Sequence, residues 1–201
     1  MDIYTLAKKT IKEKNGLARN IDFQHNGLNN SQITYLCNRG FLERVRRGYY
    51  QLSSDENSSD EAIIAQLFPD GIVCMDSALF HYGYSDRTPL AWTIAFTRSV
   101  TRTRLKIKVL ALKPYFVPEE LFPLGKSEER LNDVKLNIYD RDRTICDCFK
   151  YQSKIDSEIF NKAIIAYSKD KKRNIGNLIT YAKKMRVYRK MSEIMGVLIN
   201  G

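Results

Sequence analysis

At Gly40 the apolar spacing of this sequence switches from helical to strand-like, and the two sides of that switch must fit into one small fold. Before it, Ile3, Leu6, Ala7, Thr10 and Ile11 repeat at i, i+3, i+4, i+7 and i+8, which predicts a helix buried on one face and ended by Gly16. "LARNIDFQHNG" then offers Asn20 as a cap, Ile21 and Phe23 as a short apolar set, and Gly27 as a left-handed terminator, which predicts a second, short helix. "NNSQITYLCNRG" clusters capping residues at Asn29, Asn30 and Ser31 and lines up Ile33, Leu36 and Cys37 on one stripe. It predicts a third helix running to Gly40.

Beyond Gly40, "FLERV" and "YYQLS" are short β-prone runs joined by "RRG", where Gly48 can take the positive φ of a tight turn. Three helices and a hairpin within about 50 residues are the order of a winged helix-turn-helix. In that fold the third helix enters the major groove of DNA and the hairpin rests on backbone or minor groove.

The expected reading face of the third helix lies opposite Ile33, Leu36 and Cys37. It comprises Ser31, Gln32, Tyr35, Asn38 and Arg39. Amide side chains pair with the adenine edge, Arg with guanine, and hydroxyls with phosphate. Arg44, Arg46 and Arg47 around the hairpin tip are suited to phosphates or a narrow minor groove. Lys8, Lys9, Lys12 and Lys14 either add long-range attraction or simply solvate the first helix.

Charge agrees with a polyanionic partner. The 201-residue chain carries a net +10, and its distribution matters more than its total. Residues 1–53 hold nine Lys and Arg against four acids, a net +5, and residues 169–190 hold nine against Asp170, a net +8. The middle is slightly acidic. No apolar run reaches the roughly 18 residues of a membrane span, and "MDIYTLAKKT" lacks the order of a secretory signal, so a cytoplasmic location is expected. Four irregularly spaced cysteines fit thiols in a reducing compartment.

"SSDENSSDE" at 53–61 reads as a linker, dividing the chain into a DNA-binding domain over 1–55 and a second domain over 60–201. In the second domain "EAIIAQLF" and "DSALFHYG" predict helices, and "WTIAFT", "KIKVLAL" and "KLNIYD" predict strands. "IFNKAIIAYSK", "IGNLITYAKKM" and "KMSEIMGVLI" predict a helical C-terminal bundle. The fold class expected is α+β, with the winged helix-turn-helix followed by an α+β domain that ends in helices.

Chemistry-bearing motifs are scarce. His25 and His81 lie far apart and outside any nucleophile or metal motif, and glycine-rich phosphate loops and Gly-x-Ser-x-Gly are absent. Cys146 and Cys148 would point to opposite sides of a helix, with no further ligand at zinc spacing. No catalytic residue, metal or cofactor is expected. The densest polar run, "YDRDRTICDCFKY", places Asp140, Arg141, Asp142, Arg143 and Asp147 where a strand gives way to a helix. Capping by Asp142 or Thr144 and an Arg143–Asp147 pair account for it structurally, and an Asp pair binding metal in a nuclease is the sharper alternative. The basic stretches "KDKKRNIG" and "KKMRVYRK", interleaved with Tyr167, Tyr181 and Tyr188, admit a solvated face, a second DNA surface, or a dock for RNA or an acidic protein.

Taken in order, "GYYQL" closing a basic N-terminal head, "DSALFHYGYSD" with Pro89 downstream, a strand ending at Arg98, and "DRTICDCFKY" before a helical tail resemble the AbiEi antitoxins of bacterial abortive-infection systems. The resemblance covers nearly the whole chain. It implies a winged helix that binds inverted repeats in its own promoter and represses the operon. It also implies a C-terminal domain that counteracts a nucleotidyltransferase-like toxin in a type IV pair, which need not form a stable complex. It carries the wing positions Arg44, Arg47, Gly48 and Tyr50, and later Arg143, Thr144 and Asp147, onto this chain. Cys146 and Cys148 stand where other members often have aliphatic residues. Arg141, Asp142, Arg143 and Asp147 are the candidates for antitoxin function. With no dimer stripe in view, a monomer in solution is expected, paired only by repeated sites. The competing classes are a ligand-responsive winged-helix transcription factor and a DNA-guided nuclease.

Overall fold

A computed structural model describes residues 2–53 and 59–200. The chain divides into two compact units. The first comprises Met1–Pro69, Arg102–Leu110 and Asn132–Val134, and the second Asp70–Thr101, Ala111–Leu131 and Lys135–Gly201.

The first unit opens with α1 (Ile3–Glu13), whose N-cap Asp2 accepts from the amides of Tyr4 and Thr5. It buries Ala7, Thr10 and Ile11, the stripe read from the sequence. Leu17 and Ala18 are buried, and β1 (Ala18–Arg19) leads into α2 (Asn20–His25), with Arg19 rather than Asn20 at the N-cap position. The third helix, α3 (Asn30–Asn38), starts from a capping box: the Asn29 side chain accepts from Gln32 N at 2.9 Å, and Gln32 Oε1 accepts from Asn29 N at 2.9 Å. The hairpin β2 (Leu42–Arg46) and β3 (Tyr49–Leu52) follows, and β1 pairs antiparallel with β3 to complete a three-stranded sheet. Ala7, Ile11, Phe23, Ile33, Leu36, Leu42 and Leu52 form one core. Gly48 turns the hairpin at φ +79°.

The expected linker at 53–61 lies largely outside the described residues. At its end Ser59 caps α4 (Asp60–Leu67), accepting from Ala62 N at 3.3 Å. The units do not part at 55–60, because α4 belongs to the first: Gln66 Nε2 donates to Lys14 O at 2.8 Å, and Glu61 accepts from Asn132 at 2.8 Å.

In the second unit β4 (Ile72–Val73) precedes α5 (Met75–His81), and β5 (Trp92–Thr97), β6 (Leu112–Val117), β7 (Lys126–Leu131) and β8 (Val134–Tyr139) complete a five-stranded mixed sheet in the order β6-β5-β4-β8-β7. The pairs β5–β6 and β4–β8 are parallel, whereas β4–β5 is antiparallel. "KIKVLAL" is not the strand its alternation suggests: β6 begins only at Leu112, and a 3₁₀ turn covers Arg102–Leu105 before it. The reason is topological. Parallel neighbours cannot be joined by a tight turn, so the chain must leave the sheet between β5 and β6.

Four helices end the chain: α6 (Arg141–Lys150), α7 (Ser157–Lys169), α8 (Ile175–Lys184) and α9 (Tyr188–Asn200). They share a core that includes Ile145, Phe149, Phe160, Ile164, Leu178 and Met191. The fold is therefore α+β with a helical C-terminal region. Among the described residues no helix is long and apolar enough to cross a membrane.

Gly125 has to be glycine for two reasons at once. It sits at φ +71°, and a Cβ there would come within 2.4 Å of Arg143 Cβ. Gly83 shares the φ of +71° but has open space around it. Gly125→Ala should cost roughly 3 kcal/mol or more, from left-handed strain plus overpacking, whereas Gly83→Ala should cost about 1 kcal/mol. Urea denaturation of the two variants checks this, and equal costs would contradict the packing argument.

Candidate functional site

In the first unit, α3 turns Ile33 and Leu36 inward and leaves Ser31, Tyr35, Asn38 and Arg39 exposed, with Tyr35 45% accessible. Gln32 is half-buried; its Oε1 accepts from Asn29 N in the capping box, and its NH₂ remains as a donor. Arg39 ends the helix, with its guanidinium 5.9 Å from the Tyr35 ring centroid.

The three hairpin arginines are not equivalent. Arg44 lies within β2 opposite Tyr50 and is exposed, and Arg47 sits in the turn and is exposed. Arg46 is half-buried, its guanidinium stacks 4.6 Å from the Tyr49 ring centroid, and its Nη1 is buried without a hydrogen-bond partner among the described residues. The hairpin is tied to the helices at its turn, where Asn20 N donates to Gly48 O at 2.9 Å. Beside it Asp22 accepts from Arg19 N at 2.8 Å and Arg19 Nε at 3.1 Å, with Lys14 Nζ at 3.6 Å. Burial opposes the Asp22 charge, but Arg19 and Lys14 hold its pKa below the ordinary carboxylate range.

The polar run at the start of α6 has another character. Asp140, rather than Asp142 or Thr144, caps the helix, accepting from Arg143 N at 2.7 Å. Arg143 is 1% exposed: Nε donates to Asp147 at 3.2 Å, Nη1 donates to the carbonyls of Leu121 and Leu124 at 2.7 Å each, and the guanidinium packs 4.1 Å from the Tyr139 ring centroid. Burial raises the pKa of Asp147 above the ordinary range, with Arg143 pulling against it. Asp142 is also buried, accepting from Tyr167 Oη at 2.7 Å and Asn174 N at 2.9 Å.

Of the four residues expected to carry antitoxin function, Asp142, Arg143 and Asp147 are therefore structural and out of a partner's reach. Arg141 alone is partly accessible. Its side chain is 24% exposed, with Nε 3.1 Å from Asp170 and the guanidinium 4.4 Å from the Tyr82 ring centroid. It lines an open cavity of about 370 Å³ with Tyr82, Tyr84, Lys169, Asp170 and Lys172. Tyr84 Oη donates to Asp170 at 2.5 Å, and burial pushes the Tyr82 and Tyr84 hydroxyls far up, so both act as donors and not as bases.

His81 pairs with Glu129 at 2.9 Å, and His25 is exposed on the first unit. Burial raises the Cys74, Cys146 and Cys148 thiols well above their usual range, which leaves them inert. Of the three tyrosines among the C-terminal charges, Tyr167 is buried and Tyr181 donates to Asp140 at 3.1 Å, so only Tyr188 is exposed.

No protein-family model matches the chain, and no curated protein matches it. Among solved structures, the crystal structure of the Rv2827c protein from Mycobacterium tuberculosis is similar, with a TM-score of 0.72 at 12% sequence identity. The match covers 98% of this chain and 80% of that one. At that identity the likeness is one of fold.

Arg143→Met should destabilise the second unit by roughly 3–5 kcal/mol, since it leaves Asp147 buried without its counter-charge. Arg141→Met, at a partly solvated pair, should cost about 1 kcal/mol or less. Chemical denaturation distinguishes the two, and comparable losses would mean that Arg143 is not the buried hub described here.

Proposed function

We propose that this protein is a DNA-binding autorepressor and antitoxin of the AbiEi kind, with the first unit acting as a winged helix-turn-helix head. One juxtaposition carries the reading. A short helix with Ser31, Tyr35, Asn38 and Arg39 on its exposed face runs directly into a hairpin that exposes Arg44 and Arg47. The first set offers groups that read base edges, and the second offers groups that hold phosphate. In this reading α3 lies in the major groove of promoter inverted repeats and Arg44 and Arg47 set its register. Arg46 is a support, because its guanidinium is already stacked on Tyr49.

The second unit would counteract a nucleotidyltransferase-like toxin. The partly exposed Arg141 is the one residue of the original four still available for that role. Neutralisation without a stable complex suits a unit whose densest polar cluster is turned inward.

Arg44→Glu/Arg47→Glu in the full chain should abolish promoter binding in a gel-shift titration while leaving the thermal midpoint unchanged, because both side chains are exposed. Unchanged affinity would sink the assignment of the hairpin to DNA. The same variant should still rescue cells co-expressing the toxin. Lost rescue in a variant that is folded and present at normal levels would mean that protection works through repression alone.

A further inference from the structure

The first unit contains a basic segment that its own N-terminal sequence does not supply. Between β5 and β6 the chain leaves the sheet, and Arg102–Leu110, "RTRLKIKVL", packs with the first unit. Four cations and no acid occupy these positions. Their weight is decisive for the unit's charge: residues 1–69 hold nine cations against eight acids, a net +1, which Asp133 in the 132–134 piece brings to zero, while 102–110 alone adds +4.

The segment is held in place. Leu105 and Leu110 are buried, and Arg104 Nη2 donates to Leu67 O at 3.1 Å with its guanidinium 5.8 Å from the Phe68 ring centroid. Lys106 and Lys108 alternate with these apolar anchors and are exposed, and among the described residues neither makes an ion pair. An anchored backbone that presents unpaired ammonium groups has only its lysine side chains left to order on meeting an anion, whereas a lysine on a floppy loop must order the backbone as well. The anchor also leads back to the hairpin: Leu67 ends α4, Gln66 holds Lys14 O, Lys14 faces Asp22, and Asn20 holds the Gly48 carbonyl.

We propose that Lys106 and Lys108 form a second phosphate contact of the first unit, engaging the backbone of duplex DNA outside the stretch read by α3. This rests on the DNA-binding reading above and extends it to a segment borrowed from the crossover of the second unit's sheet. The contact is sequence-independent and acts through counterion release.

The test is fluorescence anisotropy of the full chain with a labelled duplex of arbitrary sequence across a sodium chloride series. Lys106→Gln/Lys108→Gln should weaken binding at low salt and reduce the slope of log K against log salt by about 1.8, at about 0.9 per phosphate contact. A slope and affinity equal to those of the unaltered chain would overturn the proposal. If the unaltered chain binds and Arg44→Glu/Arg47→Glu reduces its slope while the lysine variant does not, this inference fails and the hairpin reading stands. If the unaltered chain shows no salt-dependent binding, both fail. Unchanged thermal midpoints exclude misfolding as the cause of any loss.

Discussion

A guanidinium removed from water must be given partners on every side, and in the second unit Arg143 organises its surroundings by that requirement. Its Nε takes Asp147 one helical turn on, and its Nη1 draws the carbonyls of Leu121 and Leu124 onto the start of α6. The stretch before α6 is thereby fixed: Gly125 lies against the Arg143 side chain, and its carbonyl accepts from Asp140 N at 2.8 Å. Asp140 caps the same helix, and Tyr181 and Tyr167 reach Asp140 and Asp142 from α8 and α7. One strand-to-helix junction thus joins sheet, loop and C-terminal helices through satisfied buried polar groups. Removing one member strands the others in a low-dielectric interior.

A cluster of alternating Asp and Arg looks like a site, but here Asp142, Arg143 and Asp147 are buried on partners within the unit and only Arg141 stays partly accessible. Exposed polar groups lie on α3, on the hairpin and on the 102–110 segment of the first unit, and also around the basic C-terminal helices of the second, where Lys171, Lys172, Lys184 and Lys190 face solvent. What sets the first unit apart is that α3, with Ser31, Tyr35, Asn38 and Arg39 exposed, runs directly into a hairpin that exposes Arg44 and Arg47.

Much of this was legible in the chain. Ile3 to Ile11 and Ile33 to Cys37 carry helical stripes, Gly48 marks the hairpin turn, and "WTIAFT" forms the strand its alternation suggests. The parts that were not legible depend on distant partners. Two-residue strands such as β1 and β4 have no period of their own and exist because β3, β5 and β8 pair with them. "KIKVLAL" alternates, yet connecting two parallel strands forces it out of the sheet, where its apolar residues serve as anchors. That Gln32 also closes the capping box of α3 was not legible, because a side chain's use there depends on where the helix begins. The inward turn of Asp142, Arg143 and Asp147 was equally hidden, because spacing can pair Arg143 with Asp147 but cannot show that Leu121, Leu124 and Tyr139 enclose them.

The central claim is that DNA meets this protein on α3 and the hairpin. Photo-crosslinking of the full chain to duplex DNA from upstream of its own gene tests it most directly, with p-benzoylphenylalanine placed in turn at Tyr35, at Arg47 and at Phe80. Tyr35 and Phe80 are similarly exposed, at 45% and 44%, so accessibility alone cannot separate them. The account predicts crosslinks from positions 35 and 47 and none from position 80. Crosslinks from position 80, with none from 35 or 47, would contradict it.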